Sequence, residues 1–348
     1  MRRRVDIILA PSAALASTVD AHVTVEAEYG AVVAEGSVYT AAHHQPGMED
    51  LPAPCNDTLI PVLGTPSNCA SDFGTGDRAF NGTILVSHID LDTIGGCLRA
   101  LDFVMDDGDP CANLFRPEAQ SFWNLAEFVD LNGPHKLAES GASDLDLDCL
   151  YAFWAWKRAN VGRFSRDECT DVTNVIVEAS GILSAILDVD VHLMQAGADM
   201  RAEEAALNAA TLVEVHGDVL VRITSFAPEA GLGFCNHLYA DPDGKAYKAV
   251  ATFAKDTGSV TISVADTPEG VSCREISQRV WPQVTARWDD GDGFGIFESP
   301  EAAEAAHPGC DWAFTAGGHA GIAGSPRGYV QSLSDLLRAA DALEAAIQ

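Results

Sequence analysis

One stretch of the chain, residues 83–96, constrains the fold more than any other. Residues 83–86 are an apolar and partly β-branched run, which predicts a short buried strand. The run leads directly into His88, Asp90 and Asp92, and two glycines then open a helical pattern of apolar residues. In an open α/β sheet the active-site crevice lies at such strand ends. We therefore expect these three side chains to line a crevice.

The three side chains carry the donor atoms of a metal site. Imidazole and carboxylate together suit Mn²⁺, Zn²⁺ or Fe²⁺, and the larger share of carboxylate favours the harder ions. The same residues also fit a polar turn in which one aspartate caps the helix and another occupies its first turn. The stretch by itself leaves both interpretations open.

A glycine-rich loop near the other end of the chain adds a second motif. Residues 315–325 contain Gly317, Gly318 and His319 among alanines and further glycines. Paired glycines let a backbone approach a ligand closely, and His319 can donate a hydrogen bond to an anionic oxygen. The loop therefore predicts an anion-binding site.

Taken together, the two motifs resemble those of the DHH phosphoesterase superfamily. Residues 87–96 resemble the first motif of that family, and residues 316–324 resemble the Gly-Gly-Gly-His loop of its small C-terminal domain. The resemblance implies one or two divalent ions, Mn²⁺ or else Mg²⁺ or Co²⁺. It makes His88, Asp90 and Asp92 metal ligands, and it assigns substrate phosphate to the C-terminal loop.

Further ligands are expected from later and earlier positions. The turn Asp-Leu-Asn-Gly-Pro-His can aim Asp130 and His135 at one point, and the family draws a further Asp and a His from later strand ends. His43 and His44 resemble the His pair of the family's name-giving Asp-His-His motif, although Ala42 stands where the Asp belongs. Two polar histidines at a loop mouth explain the pair equally well.

Length and composition indicate a globular protein of two domains. The chain has 348 residues, 47% of them hydrophobic, and no apolar run approaches the length of a membrane span. We expect an α/β fold, with a parallel-sheet N-terminal domain and helical connector at 1–195 and a smaller α/β substrate-binding domain at 217–348. A predicted helix at 273–281 carries Arg274 and Arg279, which can add a bidentate phosphate contact.

The charge of the chain restricts its partners. The net charge is −30, with 16 Arg and only 5 Lys. Such a surface repels long nucleic acids and favours a short nucleotide or phosphometabolite as substrate. Acidic, lysine-poor surfaces are typical of proteins from very salty cytoplasm, and an ordinary acidic protein is the alternative. A homodimer is compatible with the sequence.

Cysteine usage and the first residues bear on the compartment. The nine cysteines are scattered and odd in number, which favours free thiols in a reducing cytoplasm over a disulfide framework. Residues 1–16 have the basic start and apolar run of a signal peptide, but Asp6 and Pro11 interrupt them. We therefore expect a cytoplasmic protein without a membrane segment.

These features lead to a metal-dependent phosphoesterase as the preferred hypothesis. His88, Asp90, Asp92 and Asp130 would act at the metal, and Gly317, Gly318 and His319 would bind the substrate. The absent Asp at position 42 supports an alternative, a catalytically degenerate protein that binds a nucleotide or a metal for regulation. An unrelated α/β protein with chance motifs is the third interpretation.

Overall fold

The structure, a computed structural model, describes residues 4–26, 36–41, 52–56, 60–61, 81–105, 114–161, 164, 168–224, 239–255, 258–265, 279–280, 313–314, 322–324 and 332–348. The chain forms two compact units. The first comprises Met1–Leu131 and Ser140–Ala198, and the second comprises Asn132–Glu139 and Asp199–Gln348. Each unit contains a sheet with parallel strand pairs, which confirms the expected α/β fold class.

The sheet of the first unit is built on parallel strands. Its strands are β1 (Arg4–Leu9), β2 (Val23–Val25), β3 (Tyr39–Ala41), β4 (Ile60–Pro61), β5 (Asn81–Val86) and β6 (Thr170–Asp171), in the order β4-β3-β2-β5-β1-β6. Strands β3, β2, β5 and β1 are parallel, and an antiparallel strand closes each edge. The predicted strand at 83–86 is thus confirmed as the middle of the parallel set, with its carboxyl end at Val86.

Helices cover the sheet of the first unit. They are α1 (Ala13–Ala16), α2 (Leu91–Met105), α3 (Gln120–Asn132), α4 (Asp144–Asn160) and α5 (Thr173–Leu187). Helix α2 packs on β2 and β5, α5 packs on β1 and α2, and α4 packs on α5. The aromatic residues of α4 are buried, as expected of core residues; they are Tyr151, Phe153, Trp154 and Trp156.

The second unit contains a sheet of mostly antiparallel strands. Its strands are β7 (Leu212–His216), β8 (Val219–Thr224), β9 (Ala249–Ala254), β10 (Ser259–Val264), β11 (Ala313–Phe314) and β12 (Ile322–Gly324), in the order β11-β12-β10-β9-β8-β7. Only β8 and β9 pair in parallel among these strands. A helix α6 (Val191–Ala210) precedes β7, and a 3₁₀ helix spans Pro134–Glu139.

The last helix supplies the core of the second unit. Helix α7 (Leu333–Ile347) packs on β8, β9 and β10, and buries an apolar face that includes Leu336, Ala340 and Leu343. Its N-terminus carries a capping box in which Ser332 and Asp335 satisfy each other's backbone N–H groups. Within the described parts of the chain, no helix is both long enough and apolar enough to cross a membrane.

Two helix predictions need correction at their ends. A helix expected to run from Arg201 to Val213 ends at Ala210, because the next residues pair with β8 as strand β7. The turn expected at Asp130 begins later, since helix α3 continues to Asn132. Gly133 ends that helix with a φ of 81°, a left-handed conformation that favours glycine.

Candidate functional site

The polar residues after β5 are organised around the start of helix α2. Asp90 Oδ1 accepts a hydrogen bond from the backbone N–H of Thr93 at 2.7 Å, which confirms the interpretation of this aspartate as a helix cap. Asp90 Oδ2 lies 2.9 Å from Nε2 of His88. The other ring nitrogen of His88, Nδ1, lies 2.9 Å from the hydroxyl oxygen of Ser87. Ser87, His88 and Asp90 therefore form one hydrogen-bonded chain at the strand end.

The contact with His88 lowers the pKa of Asp90. Burial by itself raises the pKa of Asp90, but the charge and hydrogen bond of His88 and the charge of Lys157 outweigh it. The pKa of Asp90 consequently lies well below its usual range. Both side chains are 31% exposed, so a small molecule in solution can reach them.

The pKa of Asp92 is shifted in the opposite direction from that of Asp90. It is 3% exposed, and its Oδ1 accepts the backbone N–H of Cys55 at 2.8 Å. Its Oδ2 is buried and has no hydrogen-bond partner within the described residues. Burial, then the charge of Asp130, then that of Asp90, raises the pKa of Asp92 to about 8. Asp92 is therefore a protonated carboxylic acid at neutral pH in the metal-free protein.

Asp130 belongs to the same electrostatic cluster. It lies in the last turns of helix α3, half-buried, where its charge raises the pKa of both Asp92 and the Cys55 thiol. The residue was expected in a polar turn, and it is helical instead. The structure thus brings both Asp90 and Asp130 within electrostatic reach of Asp92.

The two glycines of the motif make room for protein rather than for a ligand. A Cβ on Gly95 would lie 2.5 Å from Cys55 Cβ and 2.8 Å from the Trp123 ring. A Cβ on Gly96 would lie 2.6 Å from Val25 Cγ1 and 2.7 Å from Pro54 Cβ. These distances are far inside van der Waals contact. The glycines therefore allow residues 53–55 to pack directly on α2.

Side chains from two helices hold this packed segment in place. Asn56 donates to Glu127 Oε2 at 2.8 Å and to the Trp123 carbonyl at 3.2 Å, both on α3. From α2, Arg99 donates to the Cys55 carbonyl and, at 3.2 Å, to Asn56 Oδ1. These contacts fix the position of the backbone N–H of Cys55, which donates to Asp92. The residue pattern of the first motif did not indicate Cys55, and the paired glycines in a helix were the only signal for it.

Glu26 is a further acidic residue at this edge of the sheet. It follows β2, which is parallel to β5, and it is 1% exposed with a φ of 48°. A non-glycine residue in this left-handed region is uncommon and marks a strained position. Its carbonyl accepts a hydrogen bond from the Ser87 hydroxyl. Glu26 lies inside the alternating run at 22–28, and the sequence pattern did not distinguish it as a site residue.

The other expected site residues have different positions. His135 lies in the 3₁₀ helix of the second unit, with its ring edge-on to Tyr239 at a centroid distance of 4.6 Å. Arg279 Nη1 donates to the Ala346 carbonyl at 3.1 Å, near the end of α7. Six expected residues lie outside the described residues: His43, His44, Arg274, Gly317, Gly318 and His319.

The described residues contain no group of three or more His, Cys, Asp or Glu side chains placed to hold a metal ion. The arrangement therefore consists of a hydrogen-bonded His–Asp pair beside a buried acid and a third carboxylate. Comparison with protein-family models, with curated proteins and with solved structures found no match for this chain.

Proposed function

We propose that the protein is a divalent-metal-dependent phosphoesterase related to the DHH superfamily. Its substrate is a small phosphorylated molecule, either a short nucleotide or a phosphometabolite. His88, Asp90, Asp92 and Asp130 form its reaction centre at the carboxyl end of the parallel strands. Such an edge is where open α/β sheets bind their ligands.

The buried carboxyl group of Asp92 is the observation that carries this proposal. A buried acid with a partnerless Oδ2 within the described residues is costly to the fold. If Asp92 ionised, the neighbouring charges of Asp130 and Asp90 would also repel its carboxylate. A divalent cation relieves all of these costs together, because it neutralises the carboxylates and supplies a partner for the free oxygen.

The chemistry of these donors suits a hard or borderline cation, although the described side chains are not already placed to coordinate one. Asp90, Asp92 and Asp130 supply carboxylate oxygens and His88 supplies an imidazole, which suits Mn²⁺, Mg²⁺ or Co²⁺. Among the expected ligands, His43 and His44 would complete the proposed set for one or two ions, whereas His135 belongs to the second unit and is left out of the set. Such an ion, when bound, lowers the pKa of a coordinated water and neutralises charge on the phosphoryl group.

The chain's own residues would orient the ligands of the ion, exchange protons and bind the substrate. The hydrogen bond between His88 and Asp90 fixes the imidazole ring and raises its basicity, as carboxylate–histidine pairs do at metal sites. Asp92, whose pKa is raised in the metal-free protein, would release its proton when a cation binds. Gly317, Gly318 and His319, with Arg274 or Arg279, would bind the substrate phosphate.

The cellular setting is part of the proposal. The four cysteines that the structure describes, Cys55, Cys97, Cys149 and Cys169, are free thiols, which fits a reducing cytoplasm. The net charge of −30 fits a cytoplasm of high salt and a substrate shorter than a polynucleotide.

A screen of phosphorylated substrates tests the proposal. The wild type, the Asp92→Asn variant and an Asp144→Asn control are assayed with Mn²⁺, Mg²⁺ and Co²⁺ in molar KCl. Asp144 is exposed at the first turn of α4, so its substitution removes the same charge away from the site. We expect metal-dependent hydrolysis in the wild type and the control, and a loss of at least about tenfold in Asp92→Asn. Hydrolysis that is equal in all three proteins would refute the assignment.

A second candidate function is a regulatory protein that binds a nucleotide or a metal without hydrolysis. One observation favours it: both ring nitrogens of His88 are engaged, with Ser87 and Asp90, and Asp90 also caps α2. These contacts are what a purely structural turn would contain. Saturable Mn²⁺ or nucleotide binding without turnover in the same screen would select this candidate.

A further inference from the structure

The second unit contains a cavity with an unusual share of the protein's lysines. Its volume is about 670 Å³, within the range of small-molecule sites. Lys136, Lys245 and Lys248 line it, and the whole chain has only five lysines. In a protein with a net charge of −30, this concentration of ammonium groups in one cavity is an electrostatic exception.

Acidic side chains accompany these lysines: Asp218 and Glu139 line the cavity, and Lys248 and Lys245 also interact with the charges of Glu344 and Asp241 respectively. Lys248 Nζ donates to Asp218 Oδ2 at 2.6 Å, yet the two side chains are 67% and 51% exposed. Lys245 is exposed, with its Nζ 4.7 Å from the centre of the Tyr247 ring. These ammonium groups are therefore accessible from the cavity, and each can add hydrogen bonds to an anion.

Buried contacts hold the wall of the cavity in one conformation. Arg222 on β8 is fully buried and donates to the Ala240 carbonyl at 3.0 Å and to the side chain of Asn208. The Tyr239 hydroxyl forms a hydrogen bond with Ser263 on β10. The residues between Tyr239 and Lys248 are thus fixed to the sheet, so the cavity does not require an ordering step before it binds.

A tight turn places Lys245 at the cavity. Asp241 Oδ1 accepts the backbone N–H groups of Asp243 at 3.0 Å and of Lys245 at 2.9 Å. The backbone N–H of Tyr247 donates to the Tyr239 carbonyl at 2.9 Å, which closes the turn. Tyr239 and Tyr247 then pack against Leu220 and Val250 of the sheet, where they form an apolar wall.

We infer that this cavity is a binding site for a phosphorylated small molecule of about the size of a nucleoside monophosphate. Clustered lysines are point-charge phosphate binders, and a multiply charged phosphate can contact several of them. The tyrosine and His135 rings offer an apolar wall for the organic part of the ligand. All lining residues belong to the second unit, so the inference does not depend on the proposed metal centre.

Calorimetric titration with AMP and with inorganic pyrophosphate tests the inference. The titrations are made in EDTA, so that no metal-bridged phosphate contributes, and at the lowest KCl concentration at which circular dichroism shows the wild type folded. The test protein is a Lys245→Met, Lys248→Met double variant. The matched control is Lys255→Met, because Lys255 is an exposed lysine of the same unit that does not line the cavity. Asp92→Asn is the control for binding at the proposed metal centre.

We expect saturable binding of at least one probe by the wild type, by Lys255→Met and by Asp92→Asn. The double variant should bind it at least tenfold more weakly, with an unchanged circular dichroism spectrum. Absence of saturable binding to the wild type, or an equal loss in Lys255→Met, would overturn the inference. The probe can bind in this pattern even if the protein hydrolyses no substrate. That result would support the cavity as a binding site and would count only against the proposed phosphoesterase activity.

Discussion

The carboxylate of Asp92 and the backbone N–H of Cys55 meet at 2.8 Å, although 37 positions separate them in the chain. This hydrogen bond links the first turn of α2 to the segment that packs on its two glycines. It satisfies only one oxygen of a buried acid whose neighbours are also acids. The fold therefore contains a carboxyl group whose ionisation is unfavourable unless a cation binds beside it.

The ionisation of Asp92 should make the metal-free protein less stable as the pH rises. Its pKa is raised by burial to about 8, against an ordinary value of about 4, so the folded state binds the proton more tightly than the unfolded state does. The contribution of this group to stability is fully present below about pH 4 and is lost between about pH 4 and pH 8.

The Asp92→Asn variant should not lose stability in this way. In EDTA its free energy of unfolding should exceed that of the wild type at pH 8 by at least about 1.4 kcal/mol, the worth of one pKa unit. Chemical denaturation at pH 5 and pH 8 measures the difference, which should be larger at pH 8. A difference that does not change with pH would contradict the raised pKa.

The packing of residues 53–55 on the helix predicts opposite effects for two glycine substitutions. Gly95→Ala should destabilise the fold by about 1–3 kcal/mol, because a new Cβ would overlap Cys55 and Trp123. Gly181→Ala is the matched control, since this exposed glycine of α5 has no atom within 4 Å of an added Cβ. It should stabilise by about 1 kcal/mol through helix propensity. Thermal unfolding measures the change in stability of each variant. Equal changes in the two variants would argue against the packing of Cys55 and Trp123 on Gly95.

How far the sequence predicted the fold depended on whether the signal was local. The sequence predicted strands at 219–223, 248–253 and 260–264 and a helix at 332–346. All four were confirmed, with the strands at 219–224, 249–254 and 259–264 and the helix at 333–347, because periodicity and turn residues lie within each segment. Strand β1 resembled a signal-peptide run instead, and its pairing with β5 and β6 defines it. The alternation at 22–28 predicted β structure, and β2 confirms it at 23–25, where the strand is buried on both faces between β3 and β5.

The candidate site was predictable only in part for the same reason. His88, Asp90 and Asp92 stand together in the sequence, so a strand followed by a helix was enough to bring them to one edge. The contact of Asp92 with Cys55 and its coupling to Asp130 are long-range, and no local pattern encodes them. Glu26 was recognisable only through its φ of 48°.

Salt should stabilise the protein if its charge reflects a salty cytoplasm. With a net charge of −30, repulsion between surface carboxylates opposes folding at low ionic strength and is screened at molar salt. The melting temperature should therefore rise between dilute buffer and molar KCl. A melting temperature that stays flat or falls across this range would count against a halophilic surface.

Two histidine variants should separate metal binding from substrate binding. His319→Ala should lower kcat/KM by about ten- to a thousandfold, the loss expected for one preorganised donor, while bound metal stays at the wild-type level. His88→Ala should lose metal first. Kinetics with metal analysis of both purified variants make the comparison. Equal metal loss would make His319 a ligand, and unchanged catalysis in both would contradict the resemblance.

The proposed binding of a divalent cation at the Asp92 cluster is tested most directly by calorimetric titration with Mn²⁺. Titrations in buffers of different ionisation enthalpy count the protons released on binding. We predict that the wild type binds Mn²⁺ at pH 7 with release of about one proton, because the acid must ionise to bind the ion. Its affinity should rise with pH up to about 8, and Asp92→Asn should bind about 10–100-fold more weakly. Equal affinity of the two proteins, with no proton released by the wild type, would contradict a cation site at Asp92.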